Sequence, residues 1–261
     1  EYMAFPRAIA LSEVLWSSPE HKNYQDFIHR LEYYQKQLDL LDVNYANHIY
    51  SVKGKLSHVS DRLTYELNTT SSSYPIYYST DKSFPSKLYS TPITVDTSMH
   101  IKAVILNSKN SSLGAIFQQE INLHKGVGAT IAIDKKPHPA YNAGGKGALI
   151  NGISGNNKRY GDREWLGFSG EDIVITIEFD SPKNIKKIST RFYNGNGQWI
   201  YAPNEIGFSF YLEDGKTIND ISILEEKNNL LVNYSYELKP ASVTKLDIIV
   251  KNYGTIPEGK Q

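Results

Sequence analysis

The hydrophobic period of this 261-residue chain changes once, near residue 46, and that change limits the fold more than any single motif does. Upstream, apolar residues recur three and four positions apart, the period of a helix with one buried face. Downstream they fall in short β-rich runs broken by turn residues, the mark of half-buried strands. The expected fold is therefore mainly β, with helices confined to the N-terminal end.

The upstream part reads as two helices. In the first, Ala8, Leu11 and Leu15 form one stripe that Ile9 and Val14 widen, and Pro6 stands in the first turn, where a missing N–H costs nothing. A helix apolar over so much of its circumference has to be buried on several sides. Residues 1–16 cannot supply that cover themselves, and they begin with neither a start methionine nor a basic-then-apolar leader. The chain thus reads as a part of a longer protein, and Leu11, Leu15 and Trp16 are expected to stand exposed and to promote self-association. Ser17, Ser18 and Pro19 break the helix, Asn23 and Asp26 form an approximate capping pair, and a second helix follows. Its expected inner face carries Tyr24, Phe27, Ile28, Leu31, Tyr34, Leu38 and Leu41.

Residues 47–123 predict a small antiparallel sandwich, with strands at 76–80, 93–95, 101–105 and 116–121 and turn chemistry between them. Residues 124–261 predict a second, wider-spaced sandwich with strands at 129–133, 173–179, 185–193, 205–212, 218–224, 230–238 and 245–250. Its Gly/Asn-rich loops at 142–170 and 194–203 are long enough to suggest function. The tail from Asn252 ends in a loop, so the closing strand is expected to be missing.

Charge excludes one class of partner. Lys plus Arg and Asp plus Glu each number 28, which leaves no basic surplus for nucleic acid. No apolar run approaches the ~20 residues of a membrane span. The absence of cysteine removes disulfides, thiolate nucleophiles and Cys-based zinc sites together, and the seven histidines share no metal-ligand spacing. No metal site is read from the residues themselves.

Several short motifs, taken in order, resemble a known family. Phe5-Pro6-Arg7-Ala8 through Glu13 to Trp16, then Tyr24, Phe27, Arg30-Leu31 and Val43-Asn44-Tyr45, resemble the end of a (β/α)8 barrel. That barrel belongs to glycoside hydrolase family 20 β-N-acetylhexosaminidases of the Bacteroides type. Pro75 to Asp81, with Pro85, Tyr89, Pro92-Ile93 and Ile101-Lys102-Ala103, is similar to the fibronectin-III-like domain that follows in chitobiases; here Asp81-Lys82 replaces the usual Asp-Gly turn. His124-Lys125, Leu149 to Gly152, Trp165 to Phe168 and Trp199-Ile200 with Pro203 resemble a discoidin-type, galactose-binding-like jelly roll, with Asn151-Gly152 for its usual Asp-Gly. The resemblance implies three domains: 1–46, the terminal helices of a truncated catalytic barrel; 47–123, the fibronectin-like sandwich; and 124–261, the discoidin-type sandwich. It also implies a periplasmic, outer-membrane-associated or secreted protein, with a possible structural calcium in the third domain.

The family hydrolyses terminal N-acetylhexosamines with an adjacent Asp-Glu pair, retaining configuration through the substrate's own acetamide, outside the usual two-carboxylate scheme. This chain contains no Asp-Glu dipeptide, and none of its tryptophans is followed two residues on by Glu, as the family's sugar-binding motif requires. No catalytic residue carries over, and the chain alone is expected to be inactive.

Binding remains. A sugar is gripped by an aromatic face and a few planar hydrogen-bonding groups. Residues 156–165 offer Arg159, Tyr160, Arg163 and Trp165; residues 193–201 offer Tyr193 and Trp199. These six are the candidate carbohydrate-binding residues, on two loops expected at one end of the sandwich. Each has a plainer reading. Trp165 opens what reads as a strand and so belongs to packing first, Trp199 on a glycine-rich tip suits either role, and Tyr160, Arg159 and Arg163 also suit a solvated loop. The expected partners are the missing catalytic barrel and a glycan ending in N-acetylhexosamine or a galactose-like sugar. The alternative is a spacer of two β domains with no glycan affinity.

Overall fold

The structure, a computed structural model, describes residues 1–59, 62–142, 144–223 and 229–256. The chain divides into two units, Glu1–Ile121 and Asn122–Gln261.

The first unit begins with α1 (Arg7–Trp16) and α2 (Tyr24–Leu40). Asn23 caps α2, its Oδ1 accepting the Asp26 N–H at 3.1 Å. The buried face of α2 differs from the expected one. Ile28, Leu31 and Leu38 are buried together with Glu32 and Gln35, whereas Tyr24, Tyr34 and Leu41 are exposed. The reason is polar docking: Glu32 accepts a hydrogen bond from the Ser71 hydroxyl, and His29 Nδ1 lies 3.2 Å from Ser73 Oγ. By contrast, α1 has no side-chain cap and no buried residue. Polar links hold its surroundings, among them Arg30 Nη2 donating to Glu13 Oε1 at 2.6 Å and Ala46 N–H donating to the Phe5 carbonyl at 3.0 Å. Leu11, Val14, Leu15 and Trp16 are exposed, Trp16 by 89%.

Seven strands follow: β1 (Lys53–Val59), β2 (Arg62–Asn68), β3 (Ile76–Ser79), β4 (Lys87–Leu88), β5 (Ile93–Thr94), β6 (Met99–Ile105) and β7 (Phe117–Ile121). They form a three-stranded sheet, β1-β2-β5, and a four-stranded sheet, β4-β3-β6-β7, with every pair antiparallel. The expected strands are present, and β1, β2 and β4 are additions. On β2, Leu63, Tyr65 and Leu67 point inward at period two. A Cβ on Gly54 would sit 2.3 Å from the Tyr65 ring, so glycine is what lets that ring lie flat on the neighbouring strand. The Asp81-Lys82 turn needs no left-handed residue, because Asp81 Oδ1 accepts the Ser83 N–H at 2.9 Å.

The second unit is one antiparallel sheet in the order β11-β10-β12-β9-β8. Its strands are β8 (Thr130–Ile133), β9 (Ile173–Tyr193), β10 (Glu205–Leu212), β11 (Thr217–Ile223) and β12 (Leu231–Lys251). Of the strand expected at 218–224, Leu224 lies outside the described residues. The second unit is the expected β-sandwich, but two pairs of its expected strands are continuous. The runs at 173–179 and 185–193 are one 21-residue strand, as are those at 230–238 and 245–250. These two long strands pair from Tyr193↔Leu231 to Ile173↔Val250, with register shifts between Glu237 and Ala241 and between Val243 and Lys245. Pro240 falls in the first interruption, and Pro182 in the stretch of β9 facing the second. Proline cannot donate to a ladder and sits at bulges, which bend a ribbon without ending it.

The bend builds the sandwich. Tyr234 and Tyr236, on the early half of β12, stack on Phe208 of β10 at 5.9 and 6.0 Å, with interplanar angles of 10° and 20°. Phe208 itself pairs with Ile248 in the late half of β12. One ribbon therefore supplies both layers, closing over a core of Ile177, Ile206, Phe208, Phe210, Val243 and Leu246. No described helix is long and apolar enough to cross a membrane.

Candidate functional site

Both loops singled out in the sequence rest on Tyr193, the last residue of β9. Tyr193 is buried, and the rings of Tyr160 and Trp165 meet it edge-on at 5.5 and 5.7 Å. From the second loop, Gly195 comes so close that a Cβ there would stand 2.9 Å from the Tyr193 ring. Tyr141 extends the row to Tyr160 at 5.9 Å. Of the six predicted residues, Tyr193 is thus the floor of the cluster rather than part of its surface.

The first loop is folded by its own polar groups. Asp162 accepts the Asn156 N–H with one carboxylate oxygen and the Glu164 N–H, at 3.0 Å, with the other. The Asn156 carbonyl accepts the Trp165 indole N–H at 3.1 Å. Gly155 lies directly against that indole, since a Cβ would be 2.4 Å from it. Trp165 is half-buried by these contacts. It does not enter a strand, contrary to expectation: residues 165–168 are irregular, and Gly167 instead exchanges hydrogen bonds with the 138–141 segment, accepting from His138 N–H at 2.7 Å and donating to the Tyr141 carbonyl at 3.1 Å.

Arg191 organises this loop and was missed in the sequence. Its guanidinium lies 5.4 Å from the centroid of the Trp165 ring. It donates to the Gly155 carbonyl at 3.2 Å, to Asn157 Oδ1 at 2.6 Å and to Asn233 Oδ1 at 3.3 Å. Nothing local in the β9 sequence marks it; the informative pattern is an arginine on a strand that ends in Tyr193 and faces an Asn-rich loop.

The second loop presents Trp199. After a short 3-10 turn at Asn196–Gln198, Trp199 adopts φ +62°, the left-handed region, and is 64% exposed. A bulky side chain there is strained and needs support. Its N–H donates to the Asn196 carbonyl at 3.0 Å, and Asn194 Oδ1 accepts the Ala202 N–H at 3.1 Å, pinning the loop on both sides. Tyr160 is half-buried, while Arg159 and Arg163 are exposed.

Burial raises the Glu164 pKa above its usual value, with the Asp162 charge adding to the effect and the hydrogen bond from Asn151 opposing it. That bond bears on calcium. Asn151 stands where the resemblance places an aspartate, but its Nδ2 donates to Glu164 Oε2 at 2.7 Å and its Oδ1 accepts the Ile153 N–H at 2.8 Å. An amide N–H thus satisfies one oxygen of the carboxylate that a cation would otherwise take.

A cavity of about 300 Å³ lies in the first unit, lined by His29, Arg30, Tyr33 and Tyr34 on α2. Its arginine is committed to Glu13 and Asp26.

Residues 57–117 match the family described as the chitobiase/β-hexosaminidase C-terminal domain. Among solved structures, the chain is similar to a His 62 mutant of the lectin binding domain of lectinolysin complexed with Lewis b, with 9% identity, 52% of this chain and 90% of that one covered, and a TM-score of 0.36. A family 32 carbohydrate-binding module from Streptococcus pneumoniae EndoD matches at 11% identity over 49% and 87%, TM-score 0.33. The GH31 CBM32-2 module bound to GalNAc matches at 18% over 48% and 89%, TM-score 0.30.

Proposed function

We propose that this chain is the non-catalytic part of an exo-β-N-acetylhexosaminidase, in which the second unit binds carbohydrate and the first links it to a catalytic barrel. The observation that carries the binding half is the convergence of two loops on Tyr193, one of which holds Trp199 outward in a strained backbone. An aromatic face exposed at such cost, with exposed arginines on the other loop that meets Tyr193, is what a sugar ring stacks and hydrogen-bonds upon. The match of residues 57–117 supports the parent family. In this reading α1 and α2 complete the barrel, which covers Leu11, Leu15 and Trp16, and the bound glycan raises the local concentration of substrate. A periplasmic, outer-membrane-associated or secreted location goes with it.

Retention on a column of immobilised N-acetylhexosamine-terminated glycan tests the site. The wild-type chain should be retarded, and Trp199→Ala and Tyr160→Ala should elute in the void; equal retention of both variants removes them from the site. Hydrolysis of a chitobiose analogue by this chain alone would overturn the non-catalytic assignment. The spacer reading draws on one observation, that Arg191, Asn156 and Asp162 are spent on internal bonds. A glycan array without a hit, together with a less stable barrel on deletion of residues 47–261, would favour it.

A further inference from the structure

We infer that the carbohydrate accepted at the 156–165 and 193–201 loops is an anionic one, carrying carboxylate or sulfate groups; this rests on the binding reading above and names its ligand class. The first loop holds five charged residues in sequence, Lys158, Arg159, Asp162, Arg163 and Glu164, and the fold sorts them by sign. Asp162 is turned into the loop by two backbone N–H groups, and Glu164 is half-buried against the Asn151 amide. Lys158, Arg159 and Arg163 are exposed, and none has an ion-pair partner among the described residues. A sequence nearly balanced in charge thus shows solvent a cationic rim with its acids folded inward.

The same loop carries aromatic groups. Tyr160 sits between the two arginines in sequence and packs on the same Tyr193 that the Trp199 loop abuts. A neutral sugar would use the rings and leave three cations without a purpose in binding. A uronate or sulfated sugar would use both, stacking its C–H face and placing its anion among the cations, with guanidinium forks suited to either oxyanion. Arg191 is left out of this role because each of its three nitrogens already donates within the unit and its plane faces Trp165; it serves instead as a positioning residue for Asn157 and Trp165. Exposed pairs are individually weak and salt-sensitive, so the preference is expected to be moderate and to depend on ionic strength.

Titration calorimetry on the full chain with three hexasaccharides tests this: neutral chitohexaose, carboxylate-bearing hyaluronan, and chondroitin sulfate bearing both anions. At about 50 mM salt the anionic sugars should bind about tenfold more tightly than chitohexaose, and at about 0.5 M the margin should vanish. A further gain for chondroitin sulfate over hyaluronan assigns the anion as sulfate, and equal binding of the two assigns it as carboxylate. The Lys158→Ala, Arg159→Ala, Arg163→Ala triple variant should lose the anionic margin. Chitohexaose binding as tight as the anionic sugars overturns the inference and leaves the binding reading standing. An anionic margin that survives the triple variant also overturns it. No binding of any of the three sugars overturns the binding reading, and the inference with it.

Discussion

Trp16 and Trp199 are both strongly exposed, and their surroundings assign them to different kinds of partner. Trp16 ends a helix whose exposed face carries Leu11, Val14 and Leu15, with no side-chain cap and no buried residue. Trp199 stands alone on a loop pinned by backbone and amide bonds, next to a loop of cations and amides. Water is excluded from the first only by another broad apolar surface, the chemistry of a protein interface. The second offers one ring and directional polar groups, the chemistry of a small polar ligand. A count of exposed aromatics would score the two alike; the difference lies in what each ring is set among.

The largest expected effect breaks the comparison on the α1 side. The wild-type chain should self-associate at concentrations on the order of 100 µM, and a Leu11→Glu, Leu15→Glu, Trp16→Glu variant should sediment as a monomer. A wild-type chain that is already monomeric in sedimentation velocity removes the contrast, because the hydrocarbon face would then be no more adhesive than the loop face.

Next in size is Arg191→Ala, which removes three hydrogen bonds and the guanidinium facing Trp165. Leaving the buried Gly155 carbonyl unpaired, while the exposed Asn157 and Asn233 oxygens turn to water, should destabilise the second unit by about 1–2 kcal/mol, visible as a lower denaturant midpoint. A neutral result would mean the loop is held without Arg191. Trp199→Gly then separates the ring from its strain. Glycine accepts the left-handed backbone freely, so thermal stability should hold or rise slightly, while glycan affinity should fall at least about tenfold, about 1.4 kcal/mol. A matching loss of stability would make Trp199 a packing residue instead.

Because half-buried antiparallel strands write their period into the chain, alternation and turn residues were enough to place β3, β5, β6 and β7 and the strands of the second unit, but not β1, β2 and β4. What the period does not carry is continuity. Pro182 and Pro240 look like strand ends locally, and only the pairing of the two long strands on either side of each turns them into bulges. The inner face of α2 was misread for a related reason: Glu32 is buried because Ser71, thirty-nine residues away, supplies its donor. The two loops were legible as aromatic and Asn-rich, but the role of each residue was not. Tyr193 as floor, Trp165 outside any strand and Arg191 as the clamp all depend on contacts between segments distant in sequence.

The smallest effect concerns how the Asn151–Glu164 pair holds the cationic loop. Burial raises the Glu164 pKa, so in the folded state its carboxyl keeps a proton to higher pH than in the unfolded chain, where the ordinary value is 4.5. The folded form therefore binds more protons than the unfolded form as pH rises from about 4.5 to the raised folded value, and stability falls across that window. Its contribution is fully present below the unfolded pKa and lost once pH has passed through the folded one. Glu164→Gln keeps an oxygen for the Asn151 amide and removes the titration, so it should flatten this slope and stabilise the second unit at pH 7. The carboxyl is only half-buried and solvent screens it, so the gain should stay below about 0.5 kcal/mol. Thermal melts of wild type and variant from pH 4 to 7, each with and without EDTA, read both halves of this. A slope that the variant keeps, or a midpoint that EDTA lowers, would mean that something other than the Asn151–Glu164 pair closes the loop on which Tyr160 and Trp165 stand.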